Sequence, residues 1–270
     1  MKRRVNRVKL KQADSSLVSF VWTGDTKNYN TRTNGEPTRI TIHHAANGTG
    51  CSKGASSSAL TVIFESLNGN KGSVHYGIDS LGRIGQMLNE KYRPWTSDSR
   101  ANDMIAYTME ICNDQGAPTY HVSDKALNAC IELCVDICKR HNKKRVTYIA
   151  DKTKALAYKP AADELIITLH KWFAATTCPE QYLTSKISYI AEQVTAKLTP
   201  KKFPYLIRIT YPGGLNVRKD AGVTNAKTGI VLKKGEVYTI VEEQTVSGQV
   251  WGRLKSGAGW ICLTGYTEKV

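Results

Sequence analysis

The chain has 270 residues, an apolar fraction of 41%, a charged fraction of 23% and a formal net charge of +15. That composition excludes an intrinsically disordered chain, and the length suits two domains better than one. No run approaches the roughly 18 consecutive apolar residues of a membrane span, so neither a spanning helix nor a membrane partner is expected.

At the start, Met1-Lys2-Arg3-Arg4 carries the charge of a secretory leader, but no apolar run follows before Gln12-Ala13-Asp14. A signal peptide is therefore not expected, and a protein made this way in the cytoplasm but working outside needs another agent to release it. The positive charge asks for an anionic partner, either nucleic acid or the teichoic-acid phosphates of a bacterial wall. Composition alone does not choose between them, although aromatics interleaved with a basic run, the stronger nucleic-acid signal, are not evident. Seven cysteines without regular spacing argue against a disulfide framework and for synthesis in a reducing compartment.

In chain order, the β-branched run Arg39-Ile40-Thr41-Ile42-His43 predicts a strand, and residues 59–67 predict a helix. His75-Tyr76-Gly77-Ile78-Asp79 followed by Leu81-Gly82-Arg83-Ile84 predicts a hairpin turning at Asp79-Ser80. Residues 105–111 predict a further strand. A helix is expected from Ser123, placed as its N-cap beside Asp124, to His141, and another from Glu180 to Leu198. This alternation implies an α/β unit, a mixed central sheet flanked by helices, over residues 1–198. Thr199-Pro200-Lys201-Lys202-Phe203-Pro204 reads as a linker. Beyond it, short strands at 206–210, 237–241, 250–254 and 259–262, separated by glycine-bearing turns, predict a second, small all-β barrel over residues 206–270.

Four residues stand out chemically. His43 ends a strand, Glu110 lies in a later one, and His170 and Cys178 are eight positions apart. Neutral imidazole and thiolate are good zinc ligands, and three protein ligands with a fourth position open define a catalytic metal site. Spacing alone is weak support, since a His and a Cys this far apart often occur by chance.

The motifs around these residues carry more. Arg39-Ile40-Thr41-Ile42-His43-His44-Ala45-Ala46 resembles the opening strand of the N-acetylmuramoyl-L-alanine amidases of the zinc amidase type 2 family, which includes phage endolysins, bacterial autolysins and animal peptidoglycan recognition proteins. Thr108-Met109-Glu110-Ile111-Cys112-Asn113 resembles its glutamate-bearing strand. The stretch from Thr168 to Pro179 resembles its closing motif, especially in the clostridial and clostridial-phage branch. The three motifs occur in the family order across roughly residues 37–198. The resemblance implies His43, His170 and Cys178 as ligands of Zn2+, Glu110 as the acid/base for the hydrolytic water, and Thr176 at a position held by Lys or Thr among active members. It implies peptidoglycan, with anionic wall polymers, as partner in place of nucleic acid, and a phage or prophage endolysin or an autolysin as the type of protein. A receptor that keeps the fold without catalysis is the alternative from another class. Two departures concern the site: Val74 stands where the phage lysozyme-like branch has a tyrosine, and Glu180 replaces a glycine after Cys178-Pro179, a place suited to a left-handed turn.

Several residues have plainer readings. Strand alternation turns His44 away from His43, which makes it structural. His75 either lines the cleft as a substrate contact or packs in the sheet. Cys130, Cys134 and Cys138 form a helical stripe that reads as core, and Cys112 and Cys262 as strand core. Cys51, in a loop setting, is left open. His141 reads as a helix C-cap, His121 as a loop residue, Trp95 and Tyr107 as core, and Asn102-Asp103 as a turn or cleft rim. Leu215-Asn216-Val217-Arg218, Leu232-Lys233-Lys234-Gly235-Glu236 and Gly259-Trp260-Ile261 resemble a bacterial Src-homology-3-type domain. That resemblance implies a wall-binding module, with Trp251 and Tyr266 as candidate exposed contacts.

Overall fold

The computed structural model describes residues 7–33, 35–46, 58–199 and 202–270. The chain divides into two compact units, Met1–Thr199 and Pro200–Val270. Met1–Arg4 and Cys51 lie outside the described residues. Among those described, no helix is long and apolar enough to cross a membrane.

The first unit is a mixed α/β structure. Its strands are β1 (Val18–Val21), β2 (Tyr29–Thr31), β3 (Arg39–Ala45), β4 (Tyr76–Ile78), β5 (Ile84–Gln86), β6 (Tyr92–Pro94), β7 (Ala106–Cys112), β8 (Arg145–Thr147) and β9 (Glu164–Leu169). Its helices are α1 (Ser58–Gly69), α2 (Arg100–Met104), α3 (Asp124–Arg140), α4 (Lys152–Ala157) and α5 (Glu180–Leu198). The central sheet has the order β1-β5-β4-β7-β3-β9-β8. Only β4 and β5 pair antiparallel; the rest of the sheet is parallel. β2 and β6 form a separate antiparallel pair.

The two faces of the sheet differ. On one, Ile40, Ile42, Tyr107, Met109, Ile111, Leu165, Ile167 and Leu169 join the apolar stripes of α3 and α5 in a single core. Cys130, Cys134 and Cys138 belong to this core and are free thiols, as the stripe predicts. α3 starts at Ser123, whose hydroxyl accepts from the Ala126 amide, and ends at His141. The His141 ring goes further than capping: with Arg140 it holds the buried Glu90 carboxylate, Nε2 lying 2.9 Å from Oε2.

The other face packs α1 through Leu60, Ile63 and Phe64 against Ala45, Val74 and Cys112. α1 comes close because Gly77 and Gly85 are paired across β4 and β5 beneath it. A Cβ on Gly77 would meet Phe64 at 2.9 Å and one on Gly85 would meet Leu60 at 3.1 Å. Cys112 is buried as expected, but it is also disulfide-bonded, which the odd cysteine count did not suggest.

The second unit is all-β: β10 (Tyr205–Ile209), β11 (Leu215–Arg218), β12 (Lys227–Leu232), β13 (Val237–Val246), β14 (Gln249–Leu254), β15 (Trp260–Cys262) and β16 (Thr267–Lys269). They form one sheet in the order β12-β11-β15-β14-β13-β10-β16, paired antiparallel throughout. Ile207, Val217, Ile240, Leu254 and Ile261 centre its core. Trp251, expected to be exposed, is only 2% exposed and packs with Trp260 and Cys262. Strand alternation puts it on a covered face, where its large apolar area is more stable than in water.

Candidate metal centre

Register brings the first three site residues together. β3 pairs in parallel with β7 so that His43 lies beside Glu110. On its other side β3 pairs with β9, ending at Ile42 opposite Leu169, and His170 follows at once in a short 3-10 turn, His170–Trp172. All three therefore emerge at the carboxyl ends of adjacent parallel strands, where open α/β sheets place their ligand sites. Cys178 is returned to the same point by the loop after that turn. The Lys171 amide donates to the Cys178 carbonyl at 2.9 Å, and the His44 amide donates to Cys178 Sγ at 3.4 Å.

The donor atoms of His43, His170 and Cys178 all lie within 4.8 Å of one another. His43 Nδ1 is 3.8 Å from Cys178 Sγ and 3.9 Å from Glu110 Oε1. The two imidazole rings are 4.6 Å apart between centroids, tilted by 55°. Among the described residues, no other group of histidine, cysteine and carboxylate side chains converges in this way.

Electrostatics separates this cluster from an ordinary ion pair. Burial holds His43 well below its ordinary value, with His170 and His44 adding to the effect. Burial also lowers His170. It pushes the Cys178 thiol up, with Glu110 adding to the rise. Burial alone lifts Glu110 to about 8. Burial thus opposes a charge on each of these four groups. His43 Nε2 and His170 Nε2 are buried with no hydrogen-bond partner, a cost of about 1–3 kcal/mol each. A divalent cation reverses these preferences, since neutral imidazole is already the ligating form and a coordinated thiol gives up its proton. The donor set of two nitrogens and one sulfur suits zinc.

The remaining candidates fall into place differently. Thr176 is half-buried, and its hydroxyl accepts from the Cys178 amide at 3.2 Å, which leaves its own proton to donate. Glu180 takes φ +63°, so the turn after Pro179 keeps the left-handed backbone without glycine. Val74 is fully buried under α1. His44 is buried with its ring against Tyr120, 5.2 Å between centroids, in keeping with a structural part.

His75 is not a surface for substrate. It is fully buried; the Thr108 amide donates to its Nδ1 at 3.0 Å, and Nε2 lies 3.0 Å from the Tyr92 carbonyl. With both ring nitrogens engaged inside the fold, nothing is left to reach a ligand. Tyr107 is core, but Trp95 is 37% exposed, its indole donating to Asn30 Oδ1 at 2.8 Å. Asn102 and Asp103 lie in α2 and are buried, so neither is a plain turn residue. His121 stays a loop residue, paired to Asp114 at 2.6 Å.

The family model described as N-acetylmuramoyl-L-alanine amidase matches residues 33–181. Comparison with curated proteins gives no match. Solved structures similar to this chain include an endolysin N-acetylmuramoyl-L-alanine amidase from Clostridium intestinale, at 16% identity and TM-score 0.41, covering 64% of this chain and 89% of that one. The Ph2119 endolysin from a Thermus scotoductus bacteriophage is 20% identical, with TM-score 0.38 over 62% of this chain and 90% of its own. A Drosophila peptidoglycan recognition protein, SD, is 16% identical, with TM-score 0.40 over 58% and 83%.

Proposed function

Since the chain belongs to the N-acetylmuramoyl-L-alanine amidase family, we propose that it hydrolyses, with zinc, the amide joining the lactyl group of N-acetylmuramic acid to the stem-peptide L-alanine of bacterial peptidoglycan. The observation that carries this reading is the convergence of His43, His170 and Cys178 donor atoms within 4.8 Å, with Glu110 3.9 Å from His43.

Zinc, when bound, supplies a Lewis acid that polarises the scissile carbonyl and acidifies the attacking water. His43, His170 and Cys178 hold the ion, and the His44 amide steadies the Cys178 sulfur. Glu110 takes the proton of the attacking water and passes it to the leaving amine nitrogen, so that L-alanine departs with a free amino group. Burial raises the Glu110 carboxyl in the metal-free protein, and the positive charge of a bound ion would favour the ionised form that accepting a proton requires. Thr176 offers its hydroxyl proton to the oxyanion as charge moves onto the carbonyl oxygen. As a neutral donor it stabilises that charge less than a lysine would.

The proposal extends to the setting. The protein acts on the wall after release from the cell that made it, as a phage or prophage endolysin. The second unit is a wall-binding module of the Src-homology-3 type. The charge of +15 supports that reading, because attraction to anionic wall polymers and a tethering module both raise enzyme concentration at the substrate.

Purified full-length protein is expected to clear suspended Gram-positive walls, to stop in chelator and to resume with zinc. Mass spectrometry of the digest should find new N-terminal L-alanine. New reducing sugar ends in its place would make the protein a glycosidase and overturn the reading.

A further inference from the structure

Beneath the site lies a polar layer that the chemistry above does not use. Thr41 of β3, Thr108 of β7 and Thr168 of β9 stand side by side in register across three adjacent strands. Each precedes a site residue by two positions: His43, Glu110 and His170 respectively. All three threonines are fully buried, and so is Asn102 from α2.

Hydrogen bonds among Thr41, Thr168 and Asn102 close a ring. Asn102 Nδ2 donates to Thr41 Oγ1 at 2.9 Å. Thr168 Oγ1 donates to Asn102 Oδ1 at 3.4 Å. The remaining contact, Thr41 Oγ1 to Thr168 Oγ1 at 2.9 Å, then has Thr41 as donor, because the Thr168 proton is already committed. Every proton in the ring has one acceptor. Asn102 is itself held from outside the ring: its Nδ2 reaches Ser97 Oγ at 3.2 Å, and Arg39 donates to its Oδ1 at 3.2 Å.

We propose that Asn102, through this ring with Thr41 and Thr168, is a positioning residue of the metal centre, setting the separation of His43 and His170. The inference rests on the reading of these histidines as zinc ligands. The ring is where that control is needed. The backbone pairing of β3 with β9 ends at Ile42 and Leu169, one residue beyond the ring, so His43 and His170 lie past the last pair. The side-chain bridge at Thr41 and Thr168 lies one residue before that last backbone pair, and it fixes the direction in which the strands leave. Valine has the shape of threonine and an equal liking for strands, so packing alone gives no reason for hydroxyls here. A buried, fully paired polar network fixes geometry where hydrocarbon contact tolerates sliding. Groups behind metal ligands commonly change metal affinity 10–100-fold when lost.

The test compares the full-length protein with Thr168→Val and Asn102→Ala. Zinc affinity is read by competition with a chromophoric chelator, ligand geometry by the visible spectrum of the cobalt-substituted protein, and folding by the thermal melt without metal. Thr168→Val is expected to melt cooperatively yet bind zinc about 10–100-fold more weakly, with an altered cobalt spectrum. Asn102→Ala should show the same change or a larger one. If it does not fold, Thr168→Val carries the test alone. A folded Thr168→Val with native zinc affinity and a native cobalt spectrum would make the ring a packing device and overturn the inference. Absence of zinc binding by the unaltered protein is a separate outcome and overturns the metal-site reading itself.

Discussion

Replacing Glu110 with glutamine is expected to slow release of N-terminal L-alanine by roughly 10²–10⁴-fold, the usual contribution of a positioned acid/base. Zinc affinity and co-sedimentation with walls should stay near those of the unaltered protein. Glutamine keeps the shape of the side chain and removes only the proton-accepting function. Because burial lifts the Glu110 carboxyl to about 8, the group is protonated near neutrality before metal enters, and a neutral amide should cost the fold little. The same variant separates an enzyme from a non-catalytic wall receptor. A receptor would show no cutting before the substitution and no change after it.

Acidification should destabilise the first unit from about pH 6.5 downward, and His75 should account for a large share. Fully buried between the Thr108 amide and the Tyr92 carbonyl, its imidazole is lowered to about 3 by burial, with Arg32 adding to the effect. Because the folded value lies below the unfolded one, the stabilisation is complete above the ordinary value of 6.5 and is lost progressively as pH falls towards 3. Over the two pH units down to 4.5 this amounts to roughly 2–3 kcal/mol, or about 5–10 °C for a unit of this size. Below 4.5 the loss is joined by that of Glu90: burial raises its carboxyl, but pairing with Arg140 and His141 outweighs this and holds it below the ordinary range. Calorimetric melts between pH 7.5 and 4.5, compared with those of His75→Asn, isolate the histidine's share. Glu110 and Asp103, which burial raises, act in the opposite sense but equally in both proteins. A variant with the same slope over this range would remove His75 from the account.

The residues of the candidate site are legible because each lies in a motif of several residues. β3 and β7 showed as β-branched and apolar runs, and α3 and α5 through their period and, for α3, its Ser123 cap. β9 was harder: Glu164-Leu165-Ile166-Ile167-Thr168-Leu169 is buried along its whole length, and a short run with no exposed face has no alternation to read. Strands of three residues such as β2 and β6 are too short for any periodicity. His75 shows a different limit. Alternation assigns a side chain to a face, but depth depends on what is packed against it, here Arg32 just after β2 and Tyr92 of β6. Trp251 shows a similar limit, since Ala221, which packs with it, comes from before β12. The Asn102 ring left no signal at all. Thr41 and Thr168 are 127 positions apart, and a threonine in a strand needs no special explanation.

The unlike faces of the central sheet bear on how such a chain can change over generations. The broad hydrocarbon layer beneath α3 and α5 contains none of His43, Glu110, His170 or Cys178. Substituting one of these four therefore removes little of the burial that opposes unfolding. Reactivity and durability are drawn from different sides of one scaffold, and mutation can erase the first while sparing the second. A lineage built this way can retire from chemistry and persist as a shape that still recognises its former substrate.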